Sequence, residues 1–210
     1  HRYFKVISEK LPIYDNSSGS LVQVGTLEKG QVYPRVSDYG NWHRIKYGNG
    51  YGYVWKEGTT PDNGSGLKNI NDGRYQNSSI TLRAVTTLNV YDNSSGSLVQ
   101  FATVEKGTTY PLIGEYGNWY RIELADRIGY VHASGVALPF TKNDRYFKTL
   151  QSGIPIYDNS SGSLVRVGIL EKGQVYPRVS DYGNWHRIKM GTGYGFVWKE
   201  ATTPDTGNSL

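Results

Sequence analysis

Hydrophobic and polar residues alternate in short runs along the chain, and turn residues separate the runs. In TTLNVYD, Leu88 and Val90 fall on one face, and the runs NWYRIEL and RIGYVHA that follow are read as two further strands. In YGNGYGYVW and MGTGYGFVW, glycine supplies the positive φ that a tight hairpin turn requires. Since no run has the period of an amphipathic helix, the pattern predicts an all-β protein of short strands.

These strands belong to a sequence that occurs three times. Each copy contains YDNSSGSLV, and YGNW follows it at the same distance. Residues 2–62 align with residues 145–205 without a gap and are identical at 49 of 61 positions. The middle copy aligns over 88–132 but keeps mainly the turns and the aromatic positions. This regularity is typical of one small module copied in series.

The repeats predict three small barrels joined by linkers. About five short strands in about 60 residues suggest a strongly bent barrel near the lower size limit of an independent domain. The polar, Gly-rich stretch TTPDNGSGLKNINDGR predicts a flexible connection, and ALPFTKND predicts a shorter, stiffer one. The predicted organisation is repeat 1 at 1–60, a flexible linker at 61–77, repeat 2 at 78–138, a short linker at 139–144 and repeat 3 at 145–205.

The composition narrows the class of protein. Cysteine is absent, which excludes disulfides, thiolate metal sites and a cysteine nucleophile. No apolar run is long enough to cross a bilayer, so no membrane span is predicted. Small modules that leave the cell usually contain disulfides, so the absence of cysteine favours a bacterial surface protein over an animal one. The chain starts at His1 without Met or an apolar leader, which predicts a fragment or a processed product.

The charge is distributed unevenly among the repeats. The formal net charge is +5, with 8 basic and 6 acidic residues in 2–62, 8 and 5 in 145–205, and 4 and 5 in 78–138. The basic surplus of the outer repeats favours an anionic polymer such as teichoic acid or a sulfated glycan, and a merely solvated surface is the alternative. Nucleic acid is not predicted as a partner, because there is no Lys/Arg cluster and no nucleic-acid motif.

The middle repeat resembles a known family. The segment LNVYDNSSGSLVQFATVEKGTTYPLIGEYGNWYRIELADRIGYVHASGV is similar to the bacterial SH3-like (SH3b) domain: an LNV strand, a small-polar loop, a K-G turn, a G-x-W strand and a G-aromatic-V strand. The resemblance extends to all three repeats. Tyr91 stands where the family often has Arg, and the loop lacks the common Gly-Pro.

This resemblance implies three tandem SH3-like barrels with a binding role. Members of the family are non-catalytic wall-binding parts of peptidoglycan hydrolases, endolysins or surface adhesins. The implied partner is a bacterial cell-wall polymer, either the peptide or glycan of peptidoglycan or a teichoic acid. The implied location is extracellular or on the cell wall. We expect a monomer that needs no cofactor, with any catalytic domain lying outside these residues.

The alternation within strands indicates which side chains form a binding surface. Trp42 and Arg44 share one face of their strand, while His43 and Ile45 share the other. If Ile45 and its equivalents, Ile122 and Ile188, line the core, the tryptophans face outward, where aromatic rings can stack on a sugar or peptide. The predicted ligand-binding residues are Tyr14, Asn16, Tyr39, Trp42, Tyr53 and Trp55 in repeat 1, Tyr91, Trp119 and Tyr130 in repeat 2, and Tyr157, Asn159, Tyr182, Trp185, Phe196 and Trp198 in repeat 3.

Alternative interpretations stay open for these residues. A tryptophan in so small a domain also serves as the largest core residue. His132 replaces tryptophan in repeat 2, so that repeat either binds differently or only separates the outer two. No catalytic residue or metal site is predicted, because HExxH, GxSxG and P-loop motifs are absent.

The array itself predicts how affinity arises. A shallow groove on one small barrel binds weakly, whereas tandem copies on a repeating polymer gain on the order of a hundredfold through effective concentration. The sequence therefore predicts a multivalent wall-binding protein. A surface adhesin that binds a host glycan or protein is the rival hypothesis, which the basic outer repeats permit.

Overall fold

The computed structural model describes residues 2–210 and is all-β, as the alternation predicts. Its only helices are three single 3-10 turns, at Lys56–Gly58, Ala133–Gly135 and Lys199–Ala201. Within the described range, therefore, no helix is long and apolar enough to cross a membrane. The chain divides into two compact units, the first ending at Gly135 and the second running over Val136–Leu210.

Unit 1 contains repeats 1 and 2 and the segment between them. Its strands in repeat 1 are β1 (Tyr3–Val6), β2 (Lys10–Asp15), β3 (Val22–Glu28), β4 (Val32–Pro34), β5 (Ser37–Tyr39), β6 (Trp42–Tyr47), β7 (Gly50–Trp55) and β8 (Thr59–Asp62). Its strands in repeat 2 are β9 (Thr81–Ala84), β10 (Leu88–Asp92), β11 (Val99–Val104), β12 (Thr109–Tyr116), β13 (Trp119–Leu124) and β14 (Arg127–His132).

Eight of these strands form one closed barrel to which each repeat contributes four. The order is β13-β14-β10-β11-β3-β2-β7-β6, and a pairing of Leu124 with Tyr47 closes the ring between β13 and β6. Strand β5 extends the sheet at β6, while β1, β4 and β8 form a separate three-stranded sheet. Closure removes the free strand edges that a small sheet otherwise exposes.

The two repeats meet along β3 and β11, which pair antiparallel. Thr26 lies opposite Thr103, and their hydroxyl oxygens are 2.6 Å apart. A methyl group at Gly25 would collide with the carbonyl oxygen of Thr103, so glycine permits this close approach. The Tyr33 hydroxyl donates to the carbonyl of Phe101 across the same boundary. Repeats 1 and 2 therefore bury each other's side chains.

The core of unit 1 confirms the predicted inward face. Ile45, Ile122 and Val54 are fully buried, while their neighbours Trp42 and Trp55 are only partly buried. Tyr33 and Tyr110 are among the largest buried side chains, and both lie between the repeats. The interior is thus shared by the two copies.

The segment predicted as a flexible linker, 61–77, is anchored on β14. Asn69 is buried, and its side-chain amide donates to the carbonyl of Ile128 at 2.7 Å. The Ile128 amide in turn donates to the carbonyl of Asn69 at 2.7 Å, and Ile70 forms an isolated bridge with Arg127. These contacts fix the middle of the segment against the first residues of β14.

Unit 2 contains repeat 3. Its strands are β15 (Val136–Ala137), β16 (Tyr146–Thr149), β17 (Ile154–Asp158), β18 (Val165–Leu170), β19 (Val175–Pro177), β20 (Ser180–Tyr182), β21 (Trp185–Met190), β22 (Gly193–Trp198) and β23 (Thr202–Asp205). Strands β16 to β23 form two sheets with the orders β19-β16-β23 and β18-β17-β22-β21-β20, so β18 and β20 are edge strands.

The core of unit 2 is small and includes part of the predicted short linker, 139–144. Phe147, Ile156 and Val197 belong to its buried cluster, and Ile188 is buried as predicted. Phe140 packs against this cluster, with its ring centroid 4.5 Å from that of His186. The apolar centre of the linker is therefore built into the fold of repeat 3.

Candidate ligand-binding surface

Strand pairing places three aromatic side chains of repeat 1 together on the outer face. Trp42 of β6 lies opposite Trp55 of β7, and their rings meet edge to face with centroids 4.8 Å apart. Tyr14 of β2 also meets Trp42 edge to face, with centroids 5.8 Å apart. The three rings form a partly exposed patch, which we call the aromatic cluster.

The same cluster recurs in the other repeats. In repeat 3, Trp185 lies 4.8 Å from Trp198 and 5.8 Å from Tyr157 between ring centroids. In repeat 2, Trp119 lies 5.7 Å from Tyr91, and 5.0 Å from the imidazole of His132. The clusters of the outer repeats are thus alike, and that of repeat 2 has a smaller third ring.

The remaining predicted residues lie around these clusters. Tyr53, Tyr130 and Phe196 each pair across the strands with the tyrosine of their own cluster. Tyr39 and Tyr182 are strongly exposed beside the tryptophans with which they pair. Asn16 and Asn159 are exposed in the DNSSGS loops.

An open cleft lies beside the cluster of repeat 1. Its volume is about 660 Å³, and Asp15, Asn16 and Ser17 of the loop form one wall. Tyr51 and Tyr53 of β7 form the opposite side, and Thr108 and Thr109 of repeat 2 complete the lining. Of the predicted residues, Asn16 and Tyr53 line the cleft and Trp42 and Trp55 do not, so the aromatic cluster and the polar cleft are two adjacent features.

Repeat 3 has a cleft at the equivalent place. It measures about 620 Å³, and Asp158, Asn159 and Ser160 form its loop wall. Tyr194 and Phe196 of β22 correspond to Tyr51 and Tyr53, and the cleft is complete within unit 2. The two outer repeats therefore carry clefts with the same loop and strand walls, and in repeat 1 residues of repeat 2 complete the lining.

A turn within each loop shapes the acidic wall of the cleft. One Asp15 carboxylate oxygen accepts the Ser17 backbone amide, and the other accepts the Ser17 hydroxyl, both at 2.9 Å. Asp158 accepts the same two groups of Ser160 at the same distances. This local hydrogen bonding explains the small polar residues of the loop and holds a carboxylate at the mouth of each cleft.

Arg187 lines the cleft of repeat 3, and Arg44 is its counterpart in repeat 1. The guanidinium of Arg44 stacks on Tyr51 at 4.1 Å from the ring centroid, and that of Arg187 stacks on Tyr194 at 4.3 Å. In both arginines Nε is buried without a hydrogen-bond partner among the described residues. A buried donor without a partner is costly, so each of these two atoms leaves a hydrogen bond unmade in the folded protein.

In repeat 2 an arginine of the protein fills the corresponding space. Arg127 stands where the outer repeats have Gly50 and Gly193, and its side chain is almost completely buried. Nη2 donates to Asp92 at 3.2 Å, the counterpart of Asp15, and the guanidinium carbon lies 4.1 Å from the centroid of the Phe101 ring. Nε and Nη1 donate to Asn69, Gln31 and the carbonyl of Val32 at 2.8 to 3.1 Å.

The predicted residues include Asn16 and Tyr53 of one cleft and Asn159 and Phe196 of the other, but not the remaining residues that line the clefts. The alternation that exposes Trp42 also exposes Arg44, and the one that exposes Tyr53 also exposes Tyr51, so these neighbours were detectable. Gly50 gave no such signal, because its importance lies in the side chain that it lacks. Comparison with Arg127 in the aligned repeat 2 is the one sequence feature that marks the position.

A histidine, a carboxylate and a threonine lie together beneath the cluster in each outer repeat. In repeat 3, His186 contacts Asp181 through Nδ1 at 2.7 Å and Thr202 through Nε2 at 2.8 Å. Thr202, His186 and Asp181 follow one another as a nucleophile, a base and an orienting carboxylate do in a catalytic triad. However, His186 and Thr202 are sealed from solvent, and His186 stacks on Phe147. A substrate has no access to them, so we assign the group of repeat 3 to the core.

Burial sets the protonation of this group. Burial lowers the pKa of His43 and of His186, although the neighbouring Asp38 and Asp181 oppose that shift. Burial alone would raise the pKa of Asp38, but hydrogen bonds from His43, Arg35 and Lys56 hold it well below its usual range. The folded protein therefore favours a neutral imidazole beside an ionised carboxylate.

These shifts predict that the protein loses stability in mild acid. The folded pKa of each histidine is below its unfolded value of about 6.5, so the unfolded chain takes up protons first. The stabilisation is complete above about pH 7 and is lost as the pH falls through about 6.5, by up to about 1.4 kcal/mol per pH unit for each histidine. Urea unfolding between pH 8 and pH 5.5 measures this. The double variant His43→Gln/His186→Gln should show a flatter profile, and an equal slope in both proteins would contradict the assignment.

Comparison with known proteins adds little to this geometry. No family model matches the chain, and no curated protein matches it. The solved structure of NlpC1 from Trichomonas vaginalis is similar to 96% of this chain over 93% of its own length, at 10% identity and a TM-score of 0.25. Similarity at that level supports no inference about fold or function.

Proposed function

We propose that the chain is an array of three repeats of the bacterial SH3b type, two of which share one barrel, and that it binds a cell-wall polymer without catalysing a reaction. The observation that carries this proposal is the pair of equivalent open clefts in repeats 1 and 3, each beside a cluster of three aromatic rings. A concave site with a few convergent polar groups and aromatic walls suits a peptide or sugar. In this proposal the protein acts outside the cell or on the bacterial wall.

The polar groups of the clefts favour the peptide of peptidoglycan as the ligand. Asp15 and Asp158 offer carboxylates to an amino group, just as Asp92 accepts the guanidinium of Arg127 in repeat 2. The guanidinium of Arg187, which lines the cleft of repeat 3, offers donors to a carbonyl or carboxylate. A peptide that carries an amine and a carbonyl group complements both, and the tryptophans provide an apolar surface for the adjacent sugar or side chain.

The array supplies the affinity that one cleft lacks. Because Arg127 fills the cleft of repeat 2, that repeat contributes structure and spacing, and the outer two repeats bind. Two weak sites on one chain gain about a hundredfold or more on a repeating polymer when both engage. A surface adhesin for a host glycan is the competing function, and the basic outer repeats are the feature that favours it.

Co-sedimentation with purified bacterial sacculi tests the proposed ligand. The chain is incubated with untreated sacculi and with sacculi stripped of teichoic acid, and the bound fraction is measured at increasing protein concentration. Retention on both preparations is the expected result. Loss of binding after stripping would contradict the peptide and indicate teichoic acid, whereas no retention on either would overturn wall binding.

A further inference from the structure

Strand β18 of repeat 3 is an uncovered counterpart of β3. In repeat 1, β3 lies between β2 and β11, whereas within the described range β18 pairs with β17 alone. Val24 of β3 is 7% exposed, while its counterpart Val167 is 43% exposed and Ile169 is 44% exposed. An edge strand that combines apolar side chains with free backbone groups is a template for pairing with another strand.

The pairing of β3 with β11 shows which partner such a strand accepts. Thr26 and Thr103, which lie opposite each other, occupy the same position in two aligned repeats. On either side of them, Leu27 lies opposite Ala102 and Gly25 lies opposite Val104, so exchanging the repeats reproduces the register. The contact is therefore a pseudo-two-fold contact of the module with its own equivalent, and such a surface is self-complementary.

We propose that repeat 3 forms a homodimer in which β18 of two copies of this chain pair antiparallel about a two-fold axis. The register of β3 and β11 then places the Ile169 side chains of the two copies opposite each other, where unit 1 has its two threonines. Gly168 lies opposite Leu170, as Gly25 lies opposite Val104 in unit 1. Pairing at β18 displaces no strand of unit 2, because β18 is an edge strand.

Two of the 12 differences between repeats 1 and 3 fall on this contact, and both suit self-association. Ile169 stands in repeat 3 where repeat 1 has Thr26. The pair of threonines in unit 1 therefore corresponds to a pair of isoleucines at the axis of the dimer. Gln23 becomes Arg166. In unit 1 the amide of Gln23 donates to Glu105 at 3.3 Å, and that of Gln100 donates to Glu28 at 3.0 Å.

The charges of repeat 3 complete the same contacts. Glu171 is the counterpart of Glu28 and Glu105, so in the dimer Arg166 of each copy faces Glu171 of the other. Two symmetric ion pairs replace two amide hydrogen bonds. Opposite charges placed across strands stabilise the pairing, and like charges at the same places oppose it.

A cysteine at the axis tests the register. The chain has no cysteine, so the variant Ile169→Cys carries one thiol per copy. Directly opposed residues of antiparallel strands have Cα atoms about 4.5–5.5 Å apart, within the span of a disulfide. Leu164→Cys is the control, because Leu164 and its counterpart Leu21 are both 50% exposed and so lie outside the pairing. We expect Ile169→Cys to form a disulfide-linked dimer at least about ten times faster than the control. Equal rates would overturn the register.

A charge exchange tests the contact in solution. Sedimentation equilibrium of the whole chain should show a reversible monomer–dimer mixture below ~1 mM. Glu171→Lys should weaken the dimer at least about tenfold, and Arg166→Glu/Glu171→Lys should restore it to within about threefold. A chain that stays monomeric up to ~1 mM, or a double variant no better than the single one, would overturn the proposal. The measurements use no ligand, so they are independent of wall binding.

Discussion

Replacing Trp55 and Trp198 together by alanine is expected to weaken binding to sacculi by about a hundredfold. Each tryptophan lies on the outer face of its hairpin, next to a buried valine that holds the strand in the core. Truncating either ring removes one wall of one aromatic cluster, which should cost about tenfold in affinity. Truncating both also removes the gain from simultaneous engagement.

The matched control is His132→Ala, which removes the corresponding ring from repeat 2. Since Arg127 fills the cleft of that repeat, this variant should bind sacculi as the natural sequence does. Binding is measured by co-sedimentation isotherms, and circular dichroism establishes that each variant is folded. An unchanged isotherm for the double tryptophan variant, or an equal loss for His132→Ala, would reject the proposed surface.

Replacing Arg127 by leucine is expected to destabilise unit 1 by about 3–5 kcal/mol. Burial lowers the pKa of this guanidinium, and the Asp92 carboxylate opposes the shift. The buried positive charge is therefore stabilised by its hydrogen-bond partners. The variant leaves Asp92, Asn69 and Gln31 without the donors that now satisfy them. It also removes the side chain that ties repeat 1 and the intervening segment to β14.

The exposed pair of Arg74 with Asp72 provides the control for Arg127. Arg74→Leu removes a cation of the same kind from the surface and should leave the urea midpoint of unfolding nearly unchanged, because exposed ion pairs contribute little to stability. Urea unfolding of the whole chain, followed by tryptophan fluorescence, measures both variants. If Arg127→Leu costs no more than Arg74→Leu, the assignment of Arg127 as a structural plug is wrong.

Much of the local architecture could be predicted from the sequence. A strand has a period of two, so the position of Ile45 in the core fixes Trp42 on the opposite face. The YGNG and MGTG segments predict tight turns, and Gly48 and Gly191 have the positive φ that such turns require. In repeat 2, Ala125 and Asp126 adopt the same left-handed conformation without glycine, and only the alignment of the repeats indicates it.

The association of repeats 1 and 2 could not be predicted in this way. Alternation specifies the face of a strand but not the edge that it meets, because edge pairing depends on backbone groups that every residue carries. Repeat 1 and repeat 3 are nearly identical, yet β3 is covered and β18 is open. Likewise, the segment 61–77 has the composition of a flexible linker, and its attachment follows from distant contacts of Asn69 with β14.

The sequence by itself determined the β-strands, the threefold repetition and the outward aromatic residues, since each depends on local geometry and on spacing along the chain. Only the tertiary structure decided that two repeats close one barrel, that Arg127 occupies the cleft of repeat 2, and that the clefts of repeats 1 and 3 stay open. These features depend on which distant surfaces meet, and burial and charge pairing between such surfaces leave no period in the sequence.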